Sequence, residues 1–175
     1  MLEYAKEILP NFDSDISKRL KQVLSKRGIE FYNQAAVESI ERSGAQLLVH
    51  YTHKGKECST EADIVLIAVG RSPRVESIGL DNAGVRYSPK GIETDDTLRT
   101  NIPGIYAIGD VNGHCMLAHA ASFQGRKVID HILGIDKRIK LDTIPAAVFT
   151  RPEAGMVGLT EEECKPVSYT HLTLP

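Results

Sequence analysis

The chain has 175 residues, 21 Lys and Arg against 23 Asp and Glu, a net charge of −2 and 42% hydrophobic residues, with no Trp. No apolar run approaches the roughly 20 residues that span a bilayer, and no basic block gives an electrostatic reason to expect nucleic acid or an anionic membrane as partner. The three cysteines, Cys58, Cys115 and Cys164, fit neither a disulfide framework nor a C-x-x-C motif, so a reducing, cytoplasmic setting is expected.

Met1-Leu2-Glu3-Tyr4 reads as the end of a strand that runs toward the turn residues Pro10-Asn11, and Asp13-Ser14-Asp15 then offers helix caps. From Ile16 the apolar residues Ile16, Leu20, Val23 and Leu24 recur at helical spacing among lysines and arginines, and Gly28 ends the run. Four strands are expected next, over Ile29–Tyr32, Ala36–Glu41, Ala45–Tyr51 and Ala62–Val69, with turns at Ser43-Gly44 and Lys54-Gly55. The last is apolar on both faces, as a parallel strand buried between helices is, and it ends at Gly70-Arg71-Ser72-Pro73.

Beyond Pro73 the texture is that of turns, through Asn82-Ala-Gly84, Ser88-Pro-Lys-Gly91 and Asn101-Ile-Pro-Gly104. Ile105–Ile108 reads as a short strand leading into Gly109-Asp110, and Met116–Leu133 as a helix closing at Gly134. Two strands follow, Ile144–Thr150 and Gly155–Gly158, broken by Arg151-Pro152, and Thr160 to Glu163 has the spacing of a capping box. No repeat or low-complexity tract is present.

Asp110 is the sharpest chemical candidate. A carboxylate at the carboxyl edge of an open α/β sheet can accept hydrogen bonds from sugar or polyol hydroxyls, and the competing reading is a cap for the following helix. Gly70 suits either a close approach of backbone to a ligand or a simple strand-end turn. Glu3 reads as an acceptor for a ribose or as surface solvation, and Val37 as a β-branched core residue. His50 and His53, three apart on one expected strand, point to opposite faces and do not share a metal. His114, His131 and His171 have no partner at ligand spacing, and no metal site is expected.

Thr100-Asn-Ile-Pro-Gly-Ile-Tyr-Ala-Ile-Gly-Asp110, followed by Met116-Leu-Ala-His-Ala-Ala121 and Gly125, resembles the second flavin motif of the FAD-dependent pyridine nucleotide–disulfide oxidoreductases. The Leu117 to Ala121 run is most similar to the dihydrolipoyl dehydrogenase branch. Ala62 to Pro73 resembles the strand with which that family leaves its NAD domain. The resemblance implies an α/β fold: an incomplete two-dinucleotide-binding-domain (FAD/NAD) flavoprotein with the first strands of an α+β dimerisation domain. It divides the chain into the C-terminal half of an NAD-binding domain (1–72), a returning segment of an FAD-binding domain (73–141) and the start of the dimerisation domain (142–165). Residues 166–175 depart from the pattern and are expected to be foreign to the fold.

On that resemblance Glu3, Val37 and Ala68, Val69, Gly70 and Arg71 serve NAD, Glu3 through the adenosine ribose and against the 2′-phosphate of NADP. Gly109 and Asp110, with Met116, Leu117, Ala118 and His119, serve FAD, Asp110 through the ribitol. His119 is there a helix-packing, flavin-contacting residue, and no catalytic residue is implied. The implied reaction passes electrons from dihydrolipoamide through a disulfide and FAD to NAD. The implied parent is a homodimer acting on lipoyl domains of 2-oxo acid dehydrogenase or glycine cleavage complexes. The family's C-x4-C pair, its two G-x-G-x-x-G turns and its His–Glu pair are missing, so the chain is expected to be an interior stretch of a longer enzyme and inactive alone. Two alternatives stay open: another family member, such as mercuric or glutathione reductase or a soluble transhydrogenase, and a nucleotide-binding module that is no enzyme.

Overall fold

The computed structural model describes residues 1–135 and 139–165; the tail expected to be foreign lies outside them. The described residues form two compact units, one of residues 1–68 with 147–165 and one of residues 69–135 with 139–146.

The first unit begins with strand β1 (Leu2–Glu3), helix α1 (Ser14–Ser25) and strand β2 (Tyr32–Asn33), with β1 and β2 parallel and Glu3 opposite Asn33. Parallel neighbours need a crossover, which α1 supplies. The helical spacing read from Ile16 onward thus forms the helix it predicts, Leu20 burying its side chain while Ile16 stays partly exposed. Asp13 precedes α1 without capping it through its side chain. Its Oδ1 instead accepts the Glu161 N–H at 2.7 Å. Asn33 ties the crossover together, accepting from Lys21 Nζ at 3.0 Å and donating to the Lys6 carbonyl at 2.7 Å.

An antiparallel meander follows: β3 (Ala35–Ser43), β4 (Gln46–His53) and β5 (Lys56–Ala62). Lys54 and Gly55 both have positive φ, 52° and 74°, the pattern of a two-residue hairpin turn. That turn sends the chain straight back along β4, with His53 opposite Lys56 and Leu47 opposite Ala62. The expected strand Ala62–Val69 is therefore corrected. The strand after the turn is the more polar Lys56–Ala62, and residues 64 to 69 pair with no strand among the described residues. Its apolar side chains are left in solvent, Ile64, Leu66 and Val69 being 85%, 88% and 92% exposed.

Strand β8 (Ala146–Val148) pairs with β9 (Ala154–Met156), and the four-residue helix α4 (Glu161–Cys164) closes the described chain. The capping box is formed on both sides: Thr160 Oγ1 accepts the Glu163 N–H and Glu163 accepts the Thr160 N–H at 2.8 Å.

In the second unit a short helix α2 (Leu80–Ala83) and the hairpin of β6 (Tyr87–Ser88) and β7 (Gly91–Ile92) enclose a small core of Val75, Val85, Ile92 and Ala107. The strand expected over Ile105–Ile108 reduces to a single bridge between Arg99 and Tyr106. A 3₁₀ turn, Gly109–Asn112, leads to helix α3 (Ala118–Ile132). The helix starts two residues later than its apolar spacing suggests, because Leu117 is extended (φ −123°, ψ 136°) and stands outside it. Among the described residues no helix is long and apolar enough to cross a membrane.

Candidate functional site

Glu3 ends β1, half-buried, with its Oε1 accepting the Ala5 N–H at 2.7 Å. A carboxylate fixed by its own backbone in this way keeps its second oxygen for an outside donor. Val37 lies on β3, partly exposed, beside a β-bulge between Val37 and Ser39. Ala68, Val69, Gly70 and Arg71 form exposed chain without regular structure. Gly70 has φ +126° and open space where a Cβ would stand, so here it is the backbone conformation that calls for glycine.

The second unit holds the more developed site. Gly109 is buried at φ +73°, and a Cβ built there would lie 3.2 Å from the Ala121 Cβ of α3. The chain can turn against the helix only with a glycine at that point. The turn lifts Asp110 to a half-exposed position, and Gly113, at φ +70°, ends it. The Arg71 guanidinium is ion-paired with Asp110 Oδ2. Asp110 Oδ1 accepts no hydrogen bond among the described residues. Two residues that sequence reading assigned to different cofactors thus meet through their charges.

Beyond the turn, Met116 and Leu117 are half-buried in extended chain, and Ala118 and His119 open α3 exposed. His119 Nε2 lies 2.6 Å from the Pro145 carbonyl oxygen, which can only accept, so that nitrogen carries a proton. His119 is exposed, and this bond is its one side-chain contact of that kind among the described residues. Among the described residues no group of three or more His, Cys, Asp or Glu could hold a metal, and Cys58, Cys115 and Cys164 are all free thiols.

Two residues escaped the sequence reading. Gln124 and Asn112 are buried at the heart of the turn: Gln124 Oε1 accepts both the Gly109 N–H (2.7 Å) and the Asn112 Nδ2 (2.9 Å). The available signal was Gln124 itself, a polar residue in the helical stripe Ala120, Gln124, Val128 that α3 buries.

A β-α-β crossover whose first strand ends in a carboxylate, and a second unit that presents another carboxylate beside a helix, mark an α/β protein of the dinucleotide-cofactor class. The family model described as pyridine nucleotide-disulphide oxidoreductase matches residues 1–125. The chain belongs to that family. Its similar relatives include dihydrolipoyl dehydrogenases of Bacillus subtilis (strain 168), 39% identical over 94% of this chain and 36% of the relative, and of Mycobacterium tuberculosis (strain ATCC 25618 / H37Rv), 39% identical over 97% of this chain and 37% of the relative. Solved structures agree: LpdA from Mycobacterium tuberculosis superposes with a TM-score of 0.85 at 32% identity, covering 97% of this chain and 37% of its own. The HOCl-induced flavoprotein disulfide reductase RclA from Escherichia coli gives 0.79 at 32%, covering 94% and 38%. The chain therefore spans little more than a third of the proteins it matches. The cofactors of this family are FAD and a pyridine nucleotide, NAD in the dihydrolipoyl dehydrogenases.

Proposed function

We propose that this chain is the part of a dihydrolipoyl dehydrogenase that contributes to both its NAD and its FAD sites. The observation that carries the reading is Asp110, held on a buried-backbone turn at the approach to α3 with one carboxylate oxygen open. The donor chemistry fits the two groups. Asp110 Oδ1 and Glu3 Oε2 accept nothing among the described residues, and polyol and ribose hydroxyls are the donors such oxygens take. Asp110 would hold the ribityl chain of FAD, with Gly109 and Met116 to His119 beside it. Glu3 would hold the adenosine ribose of NAD, with Val37 and Ala68 to Arg71 on that side.

FAD, when bound, supplies the ring that accepts electrons and passes them to NAD. What this chain's residues do is bind and orient: two carboxylates accept sugar and polyol hydroxyls, and the negative charge of Glu3 disfavours a phosphate on the ribose it holds. Residues 1–72, 73–141 and 142–165 belong, in this reading, to an NAD-binding, an FAD-binding and a dimerisation domain. The parent is a cytoplasmic homodimer that oxidises dihydrolipoyl groups on 2-oxo acid dehydrogenase or glycine cleavage complexes. The free thiols Cys58, Cys115 and Cys164 form no C-x4-C pair, so the chain alone has no disulfide to reduce and should not turn over dihydrolipoamide.

The test is a chimera in which residues 1–165 replace the matching third of the Bacillus subtilis relative. The expected product is yellow and oxidises dihydrolipoamide with NAD, and Asp110→Asn lowers its flavin affinity about tenfold. A folded chimera whose flavin affinity ignores Asp110→Asn, or which reduces only glutathione disulfide or mercuric ion, would overturn the reading.

A further inference from the structure

One oxygen atom brackets Asp110. Gln124 Oε1, on a side chain 1% exposed, bonds the backbone N–H of Gly109 on one side of it and the side-chain amide of Asn112 on the other. The second N–H of Asn112 goes to the Ala107 carbonyl at 3.1 Å, and its Oδ1 accepts the His114 N–H at 3.0 Å. Residues 107, 109, 112 and 114 are thus threaded onto two buried amides. The orientation of Gln124 is fixed by chemistry, since both partners are donors and a flipped amide would set NH₂ against them.

We infer that Gln124 is a positioning residue for Asp110: its amide oxygen sets the path of the turn and so the direction in which the Asp110 carboxylate faces a ligand hydroxyl. The neighbours of Gln124 on α3 support this. Ala121 and Gly125 meet Gly109 and Ile108 so closely that a Cβ on Gly109 would stand 3.2 Å from Ala121 and one on Gly125 3.4 Å from Ile108. Small residues therefore let the helix come near, and Gln124 supplies the only acceptor that the Gly109 N–H finds among the described residues. Fully satisfied buried networks of this kind define one geometry, whereas loss of a single acceptor strands donors on both sides.

The inference rests on the flavin reading only for the identity of the ligand. It is tested on the full 175-residue chain by amide hydrogen exchange and riboflavin titration of Gln124→Met, Gln124→Glu, Asp110→Asn and the Gln124→Met/Asp110→Asn double variant. Gln124→Met keeps length but accepts nothing, whereas Gln124→Glu still offers oxygens to both donors. The expected result is that Gln124→Met lowers protection at Gly109 and His114 at least tenfold, leaves the α3 amides near Val128 unchanged, and is rescued by Gln124→Glu. Riboflavin affinity in Gln124→Met should fall by the same factor as in Asp110→Asn, with the double variant no worse than either. Unchanged protection at Gly109 in Gln124→Met, or protection lost equally throughout the second unit, would overturn the inference. A chain whose exchange behaves as expected but whose riboflavin binding is absent or indifferent to Asp110→Asn would overturn the flavin reading and leave the positioning role of Gln124 standing.

Discussion

Arg71 and Asp110 are ion-paired, the guanidinium of one on the carboxylate of the other, although a stretch of turns and a hairpin separates them in sequence. In the proposed reading Arg71 serves NAD and Asp110 serves the flavin. The contact lets Arg71 hold one oxygen of Asp110 while the other accepts no hydrogen bond among the described residues.

The pair should matter to ligand geometry and hardly at all to stability. Its side chains are 69% and 40% exposed, and exposed pairs are worth about 0–1 kcal/mol. Arg71→Gln is expected to change the unfolding free energy by less than about 1 kcal/mol in urea melts followed by circular dichroism. A loss of several kcal/mol would show that Arg71 holds the second unit together and is not chiefly a partner for Asp110.

Gly113 carries the opposite expectation. A Cβ there would stand 1.9 Å from the Lys90 carbonyl oxygen and 3.3 Å from Pro73, on a backbone at φ +70°. Gly91, across the same contact, is equally closed, with Asn112 backbone at 2.6 Å. Gly113→Ala should therefore cost more than about 2 kcal/mol. Gly134→Ala, at φ +67° in open space, is expected to cost only about 1 kcal/mol. Parallel thermal melts compare them, and equal costs would mean that the Lys90 segment moves aside without penalty.

Much of this architecture was legible because local chemistry decided it. Helix α1 has its apolar stripe, the meander has its glycine turns, and Thr160 and Glu163 have the spacing of a capping box that forms as read. What misled was apolar content taken alone. Ile64 to Val69 looks like a core strand, yet a strand exists only where another strand meets its backbone, and the polar Lys56–Ala62 takes that place beside β4. Asp110 could be picked out from the sequence because it sits in a recognisable string. Gln124 and Asn112 could not, since their meaning lies in hydrogen bonds across the gap between a turn and a helix, which no periodicity records.

Asp95 should report on acid. Its Oδ1 accepts the Thr97 hydroxyl at 2.6 Å, the Thr97 N–H at 2.9 Å and the Arg99 N–H at 3.0 Å, and Arg99 lies 3.3 Å from Oδ2. The Thr97 hydroxyl does most to hold the carboxyl below its ordinary value; desolvation, the next largest effect, opposes it, and the Arg99 and Thr97 amides and the Arg99 charge add to the lowering. A lowered folded value means stability that is present above the unfolded value of about 3.9 and lost as pH falls through the folded one. The turn that positions buried Leu98 should thus loosen only below about pH 4. Exchange at the Leu98 amide, which donates to the Asp95 carbonyl at 2.8 Å, checks this. In Asp95→Asn the acid dependence should vanish, and its persistence there would assign it to another carboxylate.

The segment from Ile64 to Val69 should govern solubility. It has six apolar residues without charge or proline, and several of its side chains are almost fully exposed. Its backbone pairs with no strand among the described residues, which is the composition and the state that favour edge-to-edge association between copies. Association of this kind is expected as concentration rises through the micromolar range. Leu66→Lys with Val69→Lys should suppress it without unfolding either unit, because both side chains face solvent and bury nothing when replaced. Size-exclusion chromatography with light scattering distinguishes the outcomes. A wild-type chain that stays monomeric, or a double variant that associates as readily, would mean that these residues are not the adhesive surface. The meander's outer strands, β3 and β5, would then be the next edges to charge.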